Sequence, residues 1–321
     1  MKDLVVLSLC DGISTGQYIL NDLGFNIKEY YASEIDKSAI KVTQWHFPNT
    51  IQIGDMKQVT YKNGILYTEN GVFNVGKIDL VLSGTPCVSF SIAGKKENMN
   101  GLSGELFYEF LRVLKEVEPT YYFFENVKMK ENVALEISKA LGNDYIYLNS
   151  SDFSAQVRKR YYWTNIVDRD ECLLSYIPKN LYLKDVIDNK VPFDINCDII
   201  FEEAPYNPII SSDGIVTINP HSKRMRKYQP HLIRQTNQRS RIYDVNGKCP
   251  AICASLFDLK ITKDHKFYRK LTISECEKLM GLPLGYTSNL TRNQSGKVIG
   301  NGWQADTVKY IFKFLKDKDY G

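Results

Sequence analysis

A cysteine that follows Gly84-Thr85-Pro86 at the end of an apolar run is the first residue able to do covalent chemistry. Cys87 has no CxxC partner, and the thiolate of such a lone residue is a candidate nucleophile. Further on, Tyr121–Asn126 runs into Glu125-Asn126-Val127, and Gln156-Val157-Arg158-Lys159-Arg160 leads into another apolar stretch. A carboxyl group such as Glu125 can hold or deliver a proton. The two arginines of the latter stretch, Arg158 and Arg160, stand two residues apart. Each residue also has a plainer reading on its own. A Cys after Pro is often a small buried residue, Glu125 can be a helix N-terminal acid, and Gln-x-Arg-x-Arg can be a solvated strand. Their combined order, in register with a ligand loop, favours a site.

That loop closes the first apolar run: Ser8-Leu9-Cys10-Asp11-Gly12-Ile13-Ser14-Thr15-Gly16. Glycines there let backbone approach a ligand. Glu34 ends the second run, 22 residues after Gly12, where an acid can accept from ribose hydroxyls. Asp55, in Gly54-Asp55-Met56, can accept from an adenine amino group. The spacing is not GxGxxG, so nicotinamide cofactors are disfavoured and another adenosine-containing ligand is expected.

These residues need a scaffold that brings strand ends to one edge. Leu4–Leu9, Tyr30–Ile35, Ile51–Gly54, Asp79–Gly84, Tyr121–Asn126 and Tyr145–Ser150 read as buried strands, and Tyr161–Val167 as one more. Helices are expected near 15–23, 36–46, 104–116 and 131–141. This alternation predicts an α/β fold, a mainly parallel sheet with helices on both faces. Within Tyr61–Val75, Lys-Asn-Gly and Glu-Asn-Gly suggest a small hairpin excursion. After Asp168 the rhythm breaks, and residues 168–268 read as a smaller irregular domain. Thr272–Met280 looks helical, with Thr272 and Glu275 as a capping box. Asp306–Lys316 looks like a terminal helix with an apolar face.

Composition narrows the class further. The chain has 321 residues, 43% hydrophobic and 24% charged, as soluble domains do. No apolar run reaches the ~20 residues of a membrane span, and the first residues lack a secretory h-region. The expected location is the cell interior. Seven scattered cysteines form no zinc pattern, so reduced thiols and no metal are expected. A net charge of +4 says little, but Ile215–Tyr243 holds seven basic residues and no acid. That segment can neutralise phosphates, or it can be a solvated basic face.

Gly-x-Pro-Cys, Glu-Asn-Val and Gln-x-Arg-x-Arg, in this order, resemble the signature of the DNA (cytosine-5)-methyltransferases. Asp11-Gly12…Gly16 resembles that family's cofactor loop. Arg269-x-Leu271-Thr272-x-x-Glu275 with Gly281-Leu282-Pro283 and Tyr286 resembles its penultimate motif, and Gly300-Asn301-Gly302 with the helix after it resembles the last. The resemblance spans about 1–167 and 269–316. Leu7-Ser8-Leu9-x-Asp11-Gly12-Ile13, Glu105-Leu106-Phe107-x-Glu109-Phe110 and Gly302-Trp303 are similar to the animal de novo branch.

The resemblance implies a Rossmann-like S-adenosylmethionine-dependent fold. Its catalytic domain would be 1–167, its target-recognition domain 168–268, and 269–321 would pack back on the catalytic part. It implies methyl transfer to C5 of cytosine in double-stranded DNA, on a flipped-out base. Cys87 would add to C6, Glu125 would act at N3, and Arg158 would stabilise the O2 side, with Arg160 beside them. The cofactor would lie on Asp11, Gly12, Ile13, Thr15, Gly16, Glu34, Ile35, Asp55, Met56, Pro86, Asn301, Gly302 and Trp303. DNA would meet Ser89, Arg224, Arg226, Arg239 and Arg241. Partnership with a restriction endonuclease acting separately, solitary action and phage protection are all compatible with it, as is a prokaryotic or host cytoplasm.

Cys10 stands where the family usually has an aromatic residue, and Val88 where Gln or Asn is frequent. The Cys-Phe-Thr tripeptide of the tRNA-methylating branch is absent, which favours DNA. Three alternatives stay open: an RNA (cytosine-5)-methyltransferase, a non-catalytic DNA-binding regulator, and transfer of another group from a modified cofactor.

Overall fold

The computed structural model describes residues 3–86, 102–196, 207–219, 241–255, 257–265 and 267–320. The unbroken apolar run Leu4–Leu9 forms β1, buried along its whole length, as a central parallel strand requires. There follow α1 (Thr15–Asp22), β2 (Ile27–Ser33), α2 (Lys37–His46) and β3 (Ile51–Gln52). Next come β4 (Thr60–Lys62), β5 (Ile65–Thr68), β6 (Gly71–Asn74) and β7 (Leu80–Ser83). The first half closes with α3 (Leu102–Val117), β8 (Tyr121–Val127), α4 (Glu131–Leu141), β9 (Ile146–Asn149), β10 (Lys159–Thr164) and α5 (Arg169–Leu174).

Seven strands form one sheet in the order β3-β2-β1-β7-β8-β10-β9. The pairs from β3 to β8 are parallel, and β10 runs antiparallel to β8. Strand order reverses between β1 and β7, which opens a crevice at their carboxyl ends. On one face Val5, Leu7 and Leu9 join Phe107, Phe110, Phe124 and Trp163 in the core, with Phe110 stacked on Phe124 at 4.8 Å. On the other, helix α8 (Ala305–Leu315) packs beside α1, and its Phe312 meets Phe123 edge-on at 5.1 Å. The expected βαβα order is the observed one, with strand ends shifted by at most three residues.

The excursion between β3 and β7 is a three-stranded meander, β4-β5-β6. Asn63 and Gly64 both have positive φ (51° and 80°), the backbone of a type I′ hairpin turn. Helix α3 grips the base of the meander. Arg112 donates to the Val59 carbonyl (2.8 Å), and Glu116 accepts from the Tyr61 N–H (2.9 Å).

By contacts the chain divides into Met1–Leu148, Lys159–Ile177 and Ala305–Gly321 as one unit, and Asn149–Arg158 with Pro178–Gln304 as the other. The boundaries expected at 168 and 268 fall elsewhere in this partition. Only the last helix of the 269–321 segment groups with the first unit, and Asn149–Arg158 groups with the second. The second unit holds a mixed six-stranded sheet, in contrast to the irregular reading of 168–268. Its strands are β11 (Ile195–Asn196), β12 (Asn207–Ile210), β13 (Val216–Asn219), β14 (Ile242–Asp244), β15 (Lys260–Thr262) and β16 (Phe267–Lys270). Several are only two to four residues long, too short to leave a clear period-2 pattern.

Helix α6 (Ile273–Leu279) starts at the Thr272/Glu275 capping box, where the sequence puts it. Helix α7 (Arg292–Asn301) was not expected. Its glycines lower helix propensity, but they serve close packing. A Cβ at Gly296 would lie 2.2 Å from the Phe257 ring, and one at Gly300 2.2 Å from the Cys253 carbonyl carbon.

Candidate active site

The loop after β1 is built from left-handed residues: Cys10, Gly12 and Ser14 have φ of 56°, 62° and 52°. Ser14 is the N-cap position of α1, without a side-chain cap bond. Nothing lies within 4 Å of where a Gly12 Cβ would stand, which leaves room for a ligand there. The Gly12 N–H donates to Glu34 Oε2 (2.8 Å), and the Ile35 and Asp36 N–H groups donate to Glu34 Oε1 (2.8 Å each). Oε1 is thereby filled, and Oε2 keeps a further acceptor site for a hydroxyl. Ile35, beside it, is 71% exposed, an apolar platform at the mouth.

Asp11 accepts from the Ser14 hydroxyl and from the Tyr30 phenol (2.8 Å). Burial pushes its carboxyl up to about 6, against the lowering pull of hydrogen bonds from Ser14, Ser8 and Tyr30. Cys10 donates to the Met56 sulfur (3.3 Å). Burial, then the carboxylates of Glu34, Asp55 and Asp11, push its thiol up, so it remains neutral and unreactive. Asp55 follows β3 and accepts from the Lys57 N–H (3.0 Å). Asp11, Glu34 and Asp55 thus sit after adjacent strands in a row. Ile13, Thr15, Gly16 and Met56, also expected at the cofactor, are buried.

β7 leads into Gly84-Thr85-Pro86, with Thr85 buried and Pro86 exposed. Cys87 and Ser89 lie outside the described residues, as do Arg224, Arg226 and Arg239. The approach to Cys87 is held by Asn126, which is 1% exposed. Its amide donates to the Thr85 carbonyl and hydroxyl (3.3 Å each), and its own oxygen accepts from the Val127 N–H (2.8 Å). Asn126 was not singled out from the sequence, although it lies inside the Glu-Asn-Val motif.

Glu125 pairs with Arg160, Nε to Oε1 at 2.8 Å, with side chains 12% and 14% exposed. Antiparallel pairing of β8 with β10 brings the two together, since Glu125 stands opposite Tyr162 and Arg160 opposite Val127. Arg158 is placed differently. It is 4% exposed and donates to the carbonyls of Ile252 (2.8 Å), Gly302 (2.8 Å) and Gly300 (3.3 Å). Gln156 acts likewise, donating to the Leu279 carbonyl (3.2 Å) and accepting from the Ile252 N–H (3.2 Å). The structure therefore brings Arg160 to Glu125. Arg158 braces the Gly300-Asn301-Gly302 segment within the second unit. Asn301 is exposed and Trp303 half-buried in that unit, and Arg241 is hydrogen-bonded to the buried Tyr243 phenol.

The model of the C-5 cytosine-specific DNA methylase family matches residues 4–317. The chain belongs to this family. As a member, this methylase transfers a methyl group from S-adenosyl-L-methionine to C5 of cytosine in DNA. It is 27% identical over 270 residues to the type II methyltransferase M.FnuDI of Fusobacterium nucleatum, covering 75% of this chain and 77% of that one. It is 26% identical over 306 residues to the type II methyltransferase M.HhaI of Haemophilus parahaemolyticus, covering 88% and 85%. Its fold matches a DNA modification methyltransferase encoded within an E. coli prophage, with a TM-score of 0.64, 19% identity and coverage of 98% and 99%. Among the methylase's described residues, no helix is long and apolar enough to cross a membrane. Nor does any group of three or more His, Cys, Asp or Glu among them suit a metal ion.

Proposed function

We propose that the methylase works through a covalent adduct between Cys87 and a flipped-out cytosine. The observation that carries this reading is the Glu125–Arg160 pair, 2.8 Å apart, next to a loop that Asn126 ties down immediately before Cys87. Cytosine C5 is a weak nucleophile. Addition of the Cys87 thiolate to C6 makes the ring enamine-like, so that C5 attacks the methyl carbon. Electron density then builds at N3 and O2. Glu125 shares a proton at N3, and Arg160 steadies Glu125 and the developing charge through its remaining N–H groups. Loss of the C5 proton to a base expels Cys87 and restores the ring.

The bound cofactor supplies an electrophilic methyl group. The residues present fit it: open space above Gly12, the Glu34 and Asp55 carboxylates for hydroxyl and amino donors, and the exposed Ile35 side chain for a flat ring. Pro86 joins that set, and Asn301, Gly302 and Trp303 belong to it by the family resemblance alone. Arg158, assigned to the O2 side from the sequence, donates to the Gly300 and Gly302 carbonyls of that segment. Residues 168–268 hold the target-recognition part. There Arg224, Arg226, Arg239 and Arg241 contact phosphate or base edges, and Ser89 contacts the strand near Cys87. By analogy with relatives named type II, the methylase acts in the cytoplasm beside a separate restriction endonuclease.

A duplex carrying 5-fluorocytosine tests the adduct. Fluorine cannot leave as a proton, so the complex stalls after methyl transfer. A protein–DNA species that survives denaturation is expected with the wild type and not with Cys87→Ser. Equal trapping by both proteins would refute the assignment.

A further inference from the structure

We infer that Glu69, at the tip of the β5–β6 hairpin, is a positioning residue that sets the cofactor crevice from outside it. This rests on the reading that Asp55 contacts the cofactor. Asp55 follows a two-residue strand, β3, which pairs only with β2 among the described strands and is a weak anchor by itself. The meander supplies the missing support. Glu69 Oε2 accepts the Asp55 N–H (3.0 Å), and the neighbouring Asn70 amide donates to the Gln52 carbonyl (3.0 Å). Both ends of the β3 turn are therefore held by the hairpin tip.

The turn is also pressed against that tip. Gly54 has φ of +82°, and a Cβ there would lie 2.4 Å from Glu69 Oε2 and 2.9 Å from Glu69 Cβ. On the sheet side the Ser33 hydroxyl donates to the Gly54 carbonyl (2.7 Å). The turn is thus clamped between Ser33 and Glu69, and the Asp55 carboxylate projects from the clamped segment. The clamp's other end is fixed, because α3 holds the meander base through Arg112 and Glu116. The tip itself is exposed, so a change at Glu69 removes an acceptor without opening a core.

Loss of that acceptor frees the Asp55 turn and lowers the fraction of protein with the crevice formed. Cofactor affinity falls by that fraction, while the bound state reacts at the normal rate. The test uses the full chain and S-adenosylhomocysteine as the calorimetric probe, with steady-state KM and kcat for S-adenosylmethionine alongside. Glu69→Ala is expected to weaken binding and raise KM by about three- to tenfold, the size of one ordinary exposed hydrogen bond, with kcat unchanged at saturating cofactor. Glu69→Gln keeps a carbonyl acceptor and should recover most of the affinity. Wild-type affinity in Glu69→Ala would overturn the inference, as would a loss in Glu69→Gln equal to that in Glu69→Ala, or a fall in kcat without a rise in KM. Asp55→Ala separates the two layers. If it binds the probe like the wild type, the crevice reading fails. If it binds weakly while Glu69→Ala does not, only the clamp fails.

Discussion

Removing the Arg160 guanidinium, as in Arg160→Met, should disable methyl transfer while leaving the fold in place. The pair with Glu125 spans 2.8 Å, and the side chains are 14% and 12% exposed. Two unit charges at about 4 Å attract by about 4 kcal/mol at an effective dielectric near 20. Desolvation of both partners cancels part of this, and charged hydrogen bonds net about 1.5–3 kcal/mol. A value of about 2 kcal/mol corresponds to a rate loss of about thirtyfold. Charge developing on the cytosine ring adds to this, so about thirtyfold is the lower bound. Single-turnover methylation with saturating DNA and cofactor reads the chemical step directly. Arg160→Met and Glu125→Gln should each lose at least that factor, and the double variant should lose far less than their product, because both act on one pair. Arg160→Lys, which keeps charge but not the fork, should fall between. A rate for Arg160→Met within about threefold of wild type, or strictly multiplicative losses, would refute the assignment.

Asn126→Ala should cost about 1–2 kcal/mol of stability, read as urea midpoint, by leaving the Thr85 groups unpaired, and should lower kcat more than it raises cofactor KM. Asp11, pushed up to about 6 by burial, takes up a proton on folding below that value. Its favourable contribution is full below its unfolded range, near 3.8, and is lost as pH rises through about 6. Asp11→Asn should therefore gain stability relative to wild type between those values in a melting-temperature series, and a constant difference would contradict this. Glu275 is buried against Arg269 at 2.6 Å. Burial opposes its charge, but hydrogen bonds from Arg269, Thr272 and Asp188 hold its carboxyl below the usual range. Its contribution is present above the ordinary carboxylate range and lost as pH falls through the lowered value, and Glu275→Ala should cost about 3–5 kcal/mol at neutral pH. Arg158→Met should lower the melting temperature sharply by stranding the buried Ile252 and Gly300 carbonyls and the half-buried Gly302 carbonyl, with Arg158→Lys recovering part of it.

Much of the parallel sheet was legible because its strands are apolar runs buried on both faces, as in Leu4–Leu9 and Tyr121–Phe124. Asn-Gly at 63–64 announced its turn for the same local reason. The crevice acids were readable from their places after successive strands. Arg158 and Arg160 were not separable by sequence, since both sit at alternating positions of one stretch. Which of them meets Glu125 depends on where β10 begins its antiparallel register with β8. Helix α7 was hidden by Gly296 and Gly300, whose purpose lies in contacts with Phe257 and Cys253, distant in the chain. Glu69 was equally invisible, because an exposed acid in a hairpin turn carries no local mark of what its carboxylate accepts.

Cys87 is proposed to add to C6 so that C5 of a cytosine in DNA takes the methyl group from the cofactor. The most direct test incubates the protein and S-adenosylmethionine with a random-sequence duplex library, beside Cys87→Ala, and maps 5-methylcytosine by bisulfite sequencing. The account predicts methylation in one defined sequence context with the wild type and none with Cys87→Ala. Methylation that survives in Cys87→Ala would contradict it, and so would a wild type that binds cofactor yet leaves DNA unmethylated while methylating tRNA.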